Sequence, residues 1–445
     1  MNSFRNANPD LVIVCQVFYP ELISTGQTLT ELVEELAKRG LRITVIAAQP
    51  TLLKDSPQAP RVMQYNGINI LRTWSTRLPK TSFIGKLVNL TTFFVTATLT
   101  VLARYRKAQL LLLTNPPYLP LLGWFCWLIR RQPFGVVMFD IMPEQAELLG
   151  FIPPNGWLAR AWRCFNKLWY RRAAYAIVLS RDMLEGALQN ANLRGPEAEA
   201  AARAKTHIIH VWSDDRLINP QLKSASTEAA RLGFQERFVV QYSGNHGRFH
   251  DLESLLKLAA SFDSADGFVF QFIGEGQKKQ LVEEQLGSHP HFYSSSYVAK
   301  ELLADSLAMA DLGVVAQMPG QERVCYPSKL LGIMAAGRAT LAICPTDCEM
   351  ARMIREQELG FVVPNGDLMA GRLALLEARA NPDRIRRMGE KAARHLRKRF
   401  TLAQAATAYF RIIVEHLPQP IRRASGNQAQ VSSAIVEPVT NQACD

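Results

Sequence analysis

The stretch LVIVCQVFYPELISTGQTLTELVEELAKRGLRITVIAA, residues 11–48, decides the fold. It begins with a nearly continuous apolar run that ends at Pro20, which is typical of a strand buried on both faces of a sheet. Residues 28–40 then repeat apolar side chains at helical spacing, and residues 42–48 form a second apolar run. A strand, a helix and a second strand make a βαβ unit, so the sequence predicts a parallel sheet covered by helices on both faces.

The same alternation continues along the chain in two halves. In the first half we predict further buried strands at 109–115, 134–140, 174–180 and 207–212. The second half begins with a strand at 238–245, after which we predict helices and strands at 251–262, 268–276, 312–317 and 328–337. Residues 382–417 have the pattern of one long, basic, amphipathic helix.

These elements predict an α/β protein of two tandem doubly wound, Rossmann-like domains that face each other across a cleft. Ligands bind at the carboxyl ends of the strands in open α/β sheets, so we expect the site in that cleft. The predicted parts are an N-terminal domain (1–212), a polar linker (213–230), a C-terminal domain (231–400), a helix that packs back on the first domain (401–417) and a disordered tail (418–445).

Composition excludes several classes of protein. The 445 residues are 48% hydrophobic and 20% charged, which are globular values. The 7 cysteines contain no CxxC pair, which disfavours a disulfide scaffold or a zinc site and favours a reducing cytoplasm. The first residues lack the long apolar segment of a signal peptide. The net charge of +12 predicts a polyanionic partner, but no nucleic-acid-binding motif is present, so we exclude nucleic acid.

The basic charge is concentrated in the first half, where no acidic residue occurs between Asp55 and Asp140. Within this region residues 87–103 are uncharged and close to the ~17–25 residues that span a bilayer. Asn89 and five threonines weaken that interpretation, and we favour a buried helix. An acid-free, aromatic and basic surface predicts contact with an anionic membrane. Its candidate side chains are Trp124, Trp127, Trp157, Trp162, Trp169, Arg130, Arg131, Arg160, Arg163, Arg171 and Arg172, although several of these tryptophans are equally compatible with a core.

Two glycine-bearing loops are candidate anion sites. The loop before residue 28 contains Gly26, where the backbone can approach a ligand at a helix N-terminus. An ordinary βα loop without a ligand is the alternative. The loop after strand 238–245 places Gly244 and Gly247 around Asn245 and ends in Arg248. Backbone amides, a neutral donor and a cation suit a diphosphate, and a simple turn is the alternative. The loop matches neither GxGxxG nor a Walker motif, so dinucleotide and ATP chemistry are not supported.

Two further positions carry charge at the start of a predicted helix. Lys329 follows Ser328 in the first turn of a predicted helix, where a lysine opposes the helix dipole. A bound anionic ligand would resolve this conflict, and a solvated lysine is the alternative. Asp140 and Glu144 follow a predicted strand, where two carboxylates can transfer a proton, orient a hydroxyl or cap a helix. No metal-binding motif is present, and we expect neither a metal nor another cofactor.

Taken together, pieces of residues 10–415 resemble the family 4 retaining glycosyltransferases of the GT-B fold. The quoted loops, with FDIMPEQAELLG, YSGNHGRFHDLESLL, FIGEG and YPSKLLGIMAAG, occur in the family's order. The chain is most similar to transferases of the colanic-acid fucosyltransferase and N-acetyl-fucosamine transferase type. The resemblance implies transfer of a hexose-type sugar from a UDP- or GDP-sugar to a lipid-linked saccharide, with retention. It also implies a role in exopolysaccharide or O-antigen biosynthesis and a peripheral, cytoplasmic position on the inner face of the plasma membrane.

The resemblance also implies roles for individual residues. The implied donor-binding residues are Gly26, Asn245, Gly247, Arg248, Gly274, Glu275, Ser328 and Lys329. Asp140 and Glu144 would be the catalytic carboxylates on the acceptor side. The resemblance implies no metal, because helix N-termini and cations stabilise the leaving diphosphate.

The chain departs from the family at three positions. The family's pair of glutamates is replaced by Val324 and Gly332, and Glu322 is the candidate substitute on the donor side. The family's lysine after the loop arginine is also missing, with His250 and Asp251 nearby. These departures keep two alternatives open, which are a catalytically weak binding or scaffold subunit of a polysaccharide assembly complex and a sugar-nucleotide 2-epimerase.

Overall fold

The computed structural model describes residues 8–21, 25–50, 59–78, 83–193, 195–213 and 217–418. Contacts divide the chain into two compact units. Unit 1 comprises Met1–Met138, Leu168–Ile177 and Ala406–Asp445, and unit 2 comprises Phe139–Lys167 and Val178–Ala405. The predicted domain boundaries at 212 and 231 stay a prediction, and the predicted tail after residue 418 lies outside the described residues.

The first sheet has eight strands in the order β3-β4-β2-β1-β5-β6-β7-β8. Strands β1, β2, β4, β5, β6 and β7 pair in parallel, and β3 pairs antiparallel with β4. All four residues of β1 are buried, as its apolar run predicts. The strands are β1 (Leu11–Val14), β2 (Ile43–Ala47), β3 (Val62–Tyr65), β4 (Ile68–Arg72), β5 (Gln109–Leu113), β6 (Phe134–Val137), β7 (Tyr175–Val178) and β8 (Thr206–Ile208).

The second sheet has six parallel strands in the order β11-β10-β9-β12-β13-β14. Its core packs phenylalanines of β10 against leucines of the helix that follows β9. The strands are β9 (Phe238–Ser243), β10 (Phe268–Ile273), β11 (Phe292–Ser295), β12 (Leu312–Ala316), β13 (Ala339–Ile343) and β14 (Gly360–Val363).

Sixteen α-helices are present in the described residues. The first eight are α1 (Thr25–Lys38), α2 (Phe83–Arg104), α3 (Pro120–Arg130), α4 (Glu144–Leu148), α5 (Trp157–Arg172), α6 (Arg181–Ala191), α7 (Pro196–Ala204) and α8 (Thr227–Leu232). The others are α9 (Leu252–Ala260), α10 (Lys279–Leu286), α11 (Leu303–Ala308), α12 (Lys329–Ala335), α13 (Glu349–Glu356), α14 (Leu368–Ala380), α15 (Pro382–Arg399) and α16 (Leu402–Glu415).

The predicted fold class is confirmed, and three details of the secondary structure differ. The predicted helix at 382–417 is two helices, α15 and α16, because the backbone leaves the helical conformation at Phe400. Sequence analysis also missed the hairpin of β3 and β4, whose Asn66-Gly67 turn has positive φ at both residues. That turn is the common connection of a two-residue hairpin. The strands β11 and β14 were missed as well.

Helix α2 has one buried face and one exposed apolar face, so the prediction of a buried helix is wrong for the exposed face. Phe93, Ala97 and Val101 are fully buried at four-residue spacing. The opposite face exposes Leu87, Val95 and Leu99. Of the helices in the described part of the chain, α2 alone is long and apolar enough to cross a membrane, judged by length and composition.

The two faces of α2 predict different costs of truncation. Phe93 is 0% exposed and Leu99 is 61% exposed. We expect Phe93→Ala to lower the free energy of unfolding by about 3–5 kcal/mol, because it leaves a cavity in the core. Leu99→Ala, the matched control, should change it by less than about 0.5 kcal/mol. Thermal and urea unfolding followed by circular dichroism measure both effects, and equal costs would contradict the assignment of the faces.

Candidate functional site

The site in unit 2 is built on two turns that follow β9 and β10 at their carboxyl ends. Gly244 and Gly274 both have positive φ, of 129° and 132°. A Cβ on Gly274 would lie 2.1 Å from the Gly244 carbonyl oxygen, and one on Gly276 would lie 2.5 Å from the His246 carbonyl oxygen. The turns therefore cross at a distance that only glycine allows. Backbone hydrogen bonds join them, including His246 N–H to the Glu275 carbonyl at 2.8 Å.

Lys329, in the first turn of α12, reaches back to the first of these turns. Its alkyl chain lies against Gly244, where a Cβ would be 2.6 Å from the lysine Cε. Its Nζ lies 3.2 Å from His250 Nε2 and 5.3 Å from the centroid of the Tyr242 ring. Burial lowers the pKa of Lys329 to about 8. Sequence analysis predicted the conflict of this lysine with its helix dipole, and the structure places the side chain on the glycine turn.

Two histidines beside Lys329 are held neutral. Burial, followed by the positive charge of nearby lysines, lowers the pKa of His246 to about 4. The same causes, led again by burial, lower the pKa of His250 to about 3. Neither ring nitrogen of the fully buried His246 has a hydrogen-bond partner of ordinary geometry among the described residues. Sequence analysis named His250 only as a neighbour of the missing family lysine and did not single out His246, although both flank the predicted Gly247 and Arg248.

The remaining predicted residues of the two turns lie at the surface. Asn245, Arg248 and Glu275 are exposed. Arg248 Nε donates a 2.5 Å hydrogen bond to Gln277 Oε1, and its guanidinium lies 5.1 Å from the centroid of the Phe151 ring. Arg248 is thus positioned by both turns at their solvent side.

A second lysine, Lys279, closes the turn that follows β10. Its Nζ donates to the carbonyls of Gly274 at 2.9 Å and Ser295 at 3.0 Å and lies 3.6 Å from a Glu275 carboxylate oxygen. Sequence analysis did not single out Lys279, although it lies five positions after Gly274 in the chain. These contacts fix its ammonium group to the turn.

Glu322 and Ser328 precede α12 in different surroundings. Burial raises the pKa of Glu322, and its Oε2 has no partner among the described residues. Glu322 lines a small cavity in unit 2 together with Gln317 and Tyr326. Ser328 is exposed and occupies the N-cap position of α12, where its side chain caps no backbone amide. Its implied donor-binding role stays a prediction.

The two predicted carboxylates on the acceptor side differ in their partners. Asp140 Oδ1 accepts a 2.6 Å hydrogen bond from Gln145, and burial raises the pKa of this carboxyl. Glu144 accepts a 2.8 Å charged hydrogen bond from Arg163 and a further hydrogen bond from Asn190. Asp140 is therefore the better placed to exchange a proton, whereas Glu144 belongs to an ion-paired network.

The loop that carries Asp140 lies beside the segment before α12. Ile141 N–H donates to the Val324 carbonyl at 3.0 Å, and the side chain of Val324 is buried.

A Cβ on Gly332 would meet only Leu307 Cδ1, at 4.0 Å. Packing therefore leaves room for a larger side chain at Gly332.

Gly26, in unit 1, is explained by its own loop. A Cβ at this position would lie 2.3 Å from the Glu21 carbonyl oxygen and 2.8 Å from Val17 Cγ1. Within the described part of unit 1, local packing alone accounts for a glycine here. Its predicted donor-binding role stays a prediction.

The described residues contain no group of three or more histidine, cysteine, aspartate or glutamate side chains that could hold a metal ion. The expectation of a metal-free site stays a prediction. The cationic and backbone groups described above are the groups available to an anionic ligand.

The architecture and the sequence were compared with known proteins. Residues 25–202 match the model of the glycosyl transferase 4-like domain. The sucrose-phosphate synthase tll1590 of Thermosynechococcus elongatus superposes with a TM-score of 0.69 at 15% identity, covering 90% of this chain and 97% of that one. Alr3699/HepE of Anabaena, solved with UDP and glucose, superposes with a TM-score of 0.63 at 16% identity, covering 90% and 98%. The fold is GT-B.

A curated relative gives a partial match in sequence. The probable glycosyltransferase WbjE of Pseudomonas aeruginosa is 26% identical over 266 residues, which are 59% of this chain. The match spans 61% of the length of that relative.

The two acceptor-side carboxylates should respond differently to substitution. Burial raises the folded-state pKa of Asp140 above its unfolded value of about 3.9, so this group destabilises the fold progressively as pH rises through the folded-state pKa. We therefore expect Asp140→Asn to maintain or raise the melting temperature at pH 7. Glu144→Ala removes the carboxylate that accepts from Arg163 and Asn190, which keep Glu147 and the Met142 carbonyl as partners, and should cost about 1–3 kcal/mol. Calorimetric melting of both variants measures the difference, and a stable Glu144→Ala variant would contradict the assigned network.

Proposed function

We propose that this chain is a glycosyltransferase that uses a nucleotide-sugar donor. The arrangement that carries the proposal is the pair of glycine turns after β9 and β10 with the Lys329 ammonium beside them. A close-packed turn that offers its backbone, with a cation beside it, suits a diphosphate. The GT-B fold and the matched glycosyl transferase 4-like domain support this function, as does the complex of Alr3699/HepE with UDP and glucose.

We further propose that a UDP- or GDP-linked hexose is transferred with retention of anomeric configuration. The Lys329 cation would stabilise charge that develops on the leaving diphosphate. The leaving phosphate would help to deprotonate the acceptor hydroxyl, because Glu144 is ion-paired with Arg163 and burial raises the pKa of the Asp140 carboxyl. Asp140 would orient the acceptor hydroxyl and share its proton.

The acceptor we propose is a lipid-linked saccharide of exopolysaccharide or O-antigen biosynthesis, which the protein would bind at the inner face of the plasma membrane. Support comes from apolar side chains that α2 and α3 of unit 1 expose. Phe94 of α2 contacts Tyr118, which precedes α3, edge to face with ring centroids 5.5 Å apart. Arg131 and Arg172 lie 3.9 and 4.3 Å from the Trp127 ring centroid. The exposed apolar side chains are Ile84, Leu87, Val95 and Leu99 of α2, Phe125, Leu128 and Ile129 of α3, and Trp74 and Leu78 of the segment before α2.

Two members of the predicted membrane surface prove to have other roles. Trp169 is buried, so it belongs to the core. Arg163 is ion-paired with Glu144 and Glu147, which neutralises its charge locally. Of the five predicted tryptophans, Trp157 is exposed. The proposed surface therefore rests on α2 and α3 rather than on the full set of aromatic and basic residues.

Nucleotide binding tests the donor site. We expect Lys329→Met to weaken the binding of UDP or GDP by about 10- to 100-fold, since a hydrogen bond to a charged group contributes about 1.5–3 kcal/mol. Lys257→Met, on an exposed position of α9, is the matched control and should bind as the wild type does. Isothermal titration calorimetry measures both. Equal affinity of the Lys329→Met variant and the wild type would overturn the assigned donor site.

Vesicle binding tests the membrane surface. We expect sedimentation with vesicles that contain phosphatidylglycerol, lost on adding salt because exposed charges are screened. Leu99→Glu should reduce binding at least severalfold, whereas Leu376→Glu, an exposed position of α14, should not. Binding that persists in high salt would instead favour insertion of α2.

The alternative functions predict different products. An epimerase would change the sugar of the donor in the absence of an acceptor, and a scaffold subunit would bind nucleotide without turnover. The open space at Gly332 is the one observation that favours the scaffold. Product analysis by mass spectrometry and NMR, with and without acceptor, separates these functions from transfer.

A further inference from the structure

The position of the Lys329 ammonium depends on few contacts. The side chain has a long flexible stem, of which Gly244 constrains the middle and the Tyr242 ring one side. Among the described residues, His250 is the side chain whose hydrogen bond holds the nitrogen itself, at 3.2 Å from Nε2. Without that bond, no side-chain hydrogen bond found among the described residues would fix the direction of the ammonium.

His250 is itself held in unit 2 through its ring and its backbone. Its Nδ1 lies 3.4 Å from the Ala316 carbonyl oxygen, and its own carbonyl accepts a 2.7 Å hydrogen bond from Lys278. Its backbone N–H donates to the Gly247 carbonyl at 3.2 Å. A proton on Nδ1 is shared with Ala316, which leaves the Nε2 lone pair to accept from Lys329. The ring is thus fixed in the orientation and tautomer that an acceptor needs.

The imidazole of His250 accepts the hydrogen bond of Lys329 without carrying a charge, which distinguishes it from a carboxylate acceptor. A carboxylate in the same place would neutralise the lysine and compete with the diphosphate for it. A neutral imidazole orients the ammonium and leaves its full positive charge for the ligand. The lowered pKa of His250, about 3, keeps it neutral at any pH at which the protein would be assayed.

We propose that His250 is a positioning residue that aims the Lys329 ammonium at the diphosphate of the donor by accepting its hydrogen bond at Nε2. The inference rests on the proposed function of the donor site. It assigns to His250 no contact with the reacting atoms.

The charge state of Lys329 supplies a readout that a merely structural role would not move. Tyr242, His246, His250 and Cys325 lie next to Lys329, and Lys278, Lys279 and Glu275 act on the two histidines. The pKa values of both histidines are lowered far below 7, and burial raises those of Tyr242 and, to about 12, Cys325. Lys329 is charged below its pKa of about 8 and neutral above it, so nucleotide affinity should fall as pH rises through about 8.

The test is calorimetric titration of UDP and GDP into the full-length chain between about pH 6.5 and 9.5. We expect His250→Leu to weaken binding about tenfold and to move the midpoint of the pH dependence to lower pH, because the ammonium loses its acceptor. His250→Gln, whose amide oxygen can accept the same bond, should restore both. His289→Leu, before the amino end of β11, is the control and should leave both unchanged.

A double-mutant cycle separates positioning from a general loss of structure. Adding His250→Leu to Lys329→Met should have no further effect, whereas a structural role for His250 would weaken binding in both backgrounds. If His250→Leu keeps the affinity and pH midpoint of the wild type, the inference is overturned and the donor site stands. If the wild type binds no nucleotide at any pH, the proposed function falls and the inference falls with it.

Discussion

The close crossing of the turns after β9 and β10 is the constraint on which the site depends. Gly244 and Gly274 approach so closely that a Cβ on Gly274 would lie 2.1 Å from a carbonyl oxygen. Because no side chain stands between these turns, Lys329 can lie across Gly244 and meet His250. The parallel strands of the second sheet bring both turns to one edge, where ligands of open α/β sheets bind. Gly244 and Gly274 therefore allow the close approach of the two turns on which the proposed chemistry depends.

The electrostatics of the site differ from those of the chain as a whole. The protein carries a net charge of +12, yet the interior of the proposed donor site holds two neutral histidines and a lysine whose pKa is lowered to about 8. Burial makes a full positive charge costly there until an anion arrives to share it. A diphosphate would raise the pKa of Lys329 and fix its charge. Such a site responds to the charge of its ligand and would release a nucleotide more readily as that charge falls.

The sequence predicted the two α/β domains because strands buried on both faces leave continuous apolar runs, as residues 11–14 and 312–316 do. It also predicted the loop around Gly247 and the odd position of Lys329. It did not predict that Glu144 is ion-paired with Arg163, because the partner lies 19 residues away along the chain and only packing brings the two together. The exposed face of α2 was missed because apolar composition does not tell which side of a helix meets solvent.

The account is tested most directly by turnover of purified protein with UDP- and GDP-sugars, with and without a lipid-diphosphate-linked saccharide. It predicts release of free nucleotide that depends on the acceptor, and a product that keeps the anomeric configuration of the donor. Nucleotide binding without release on any acceptor would contradict the assignment of a transferase and favour a scaffold. Conversion of the donor sugar to its epimer without acceptor would contradict it in favour of an epimerase.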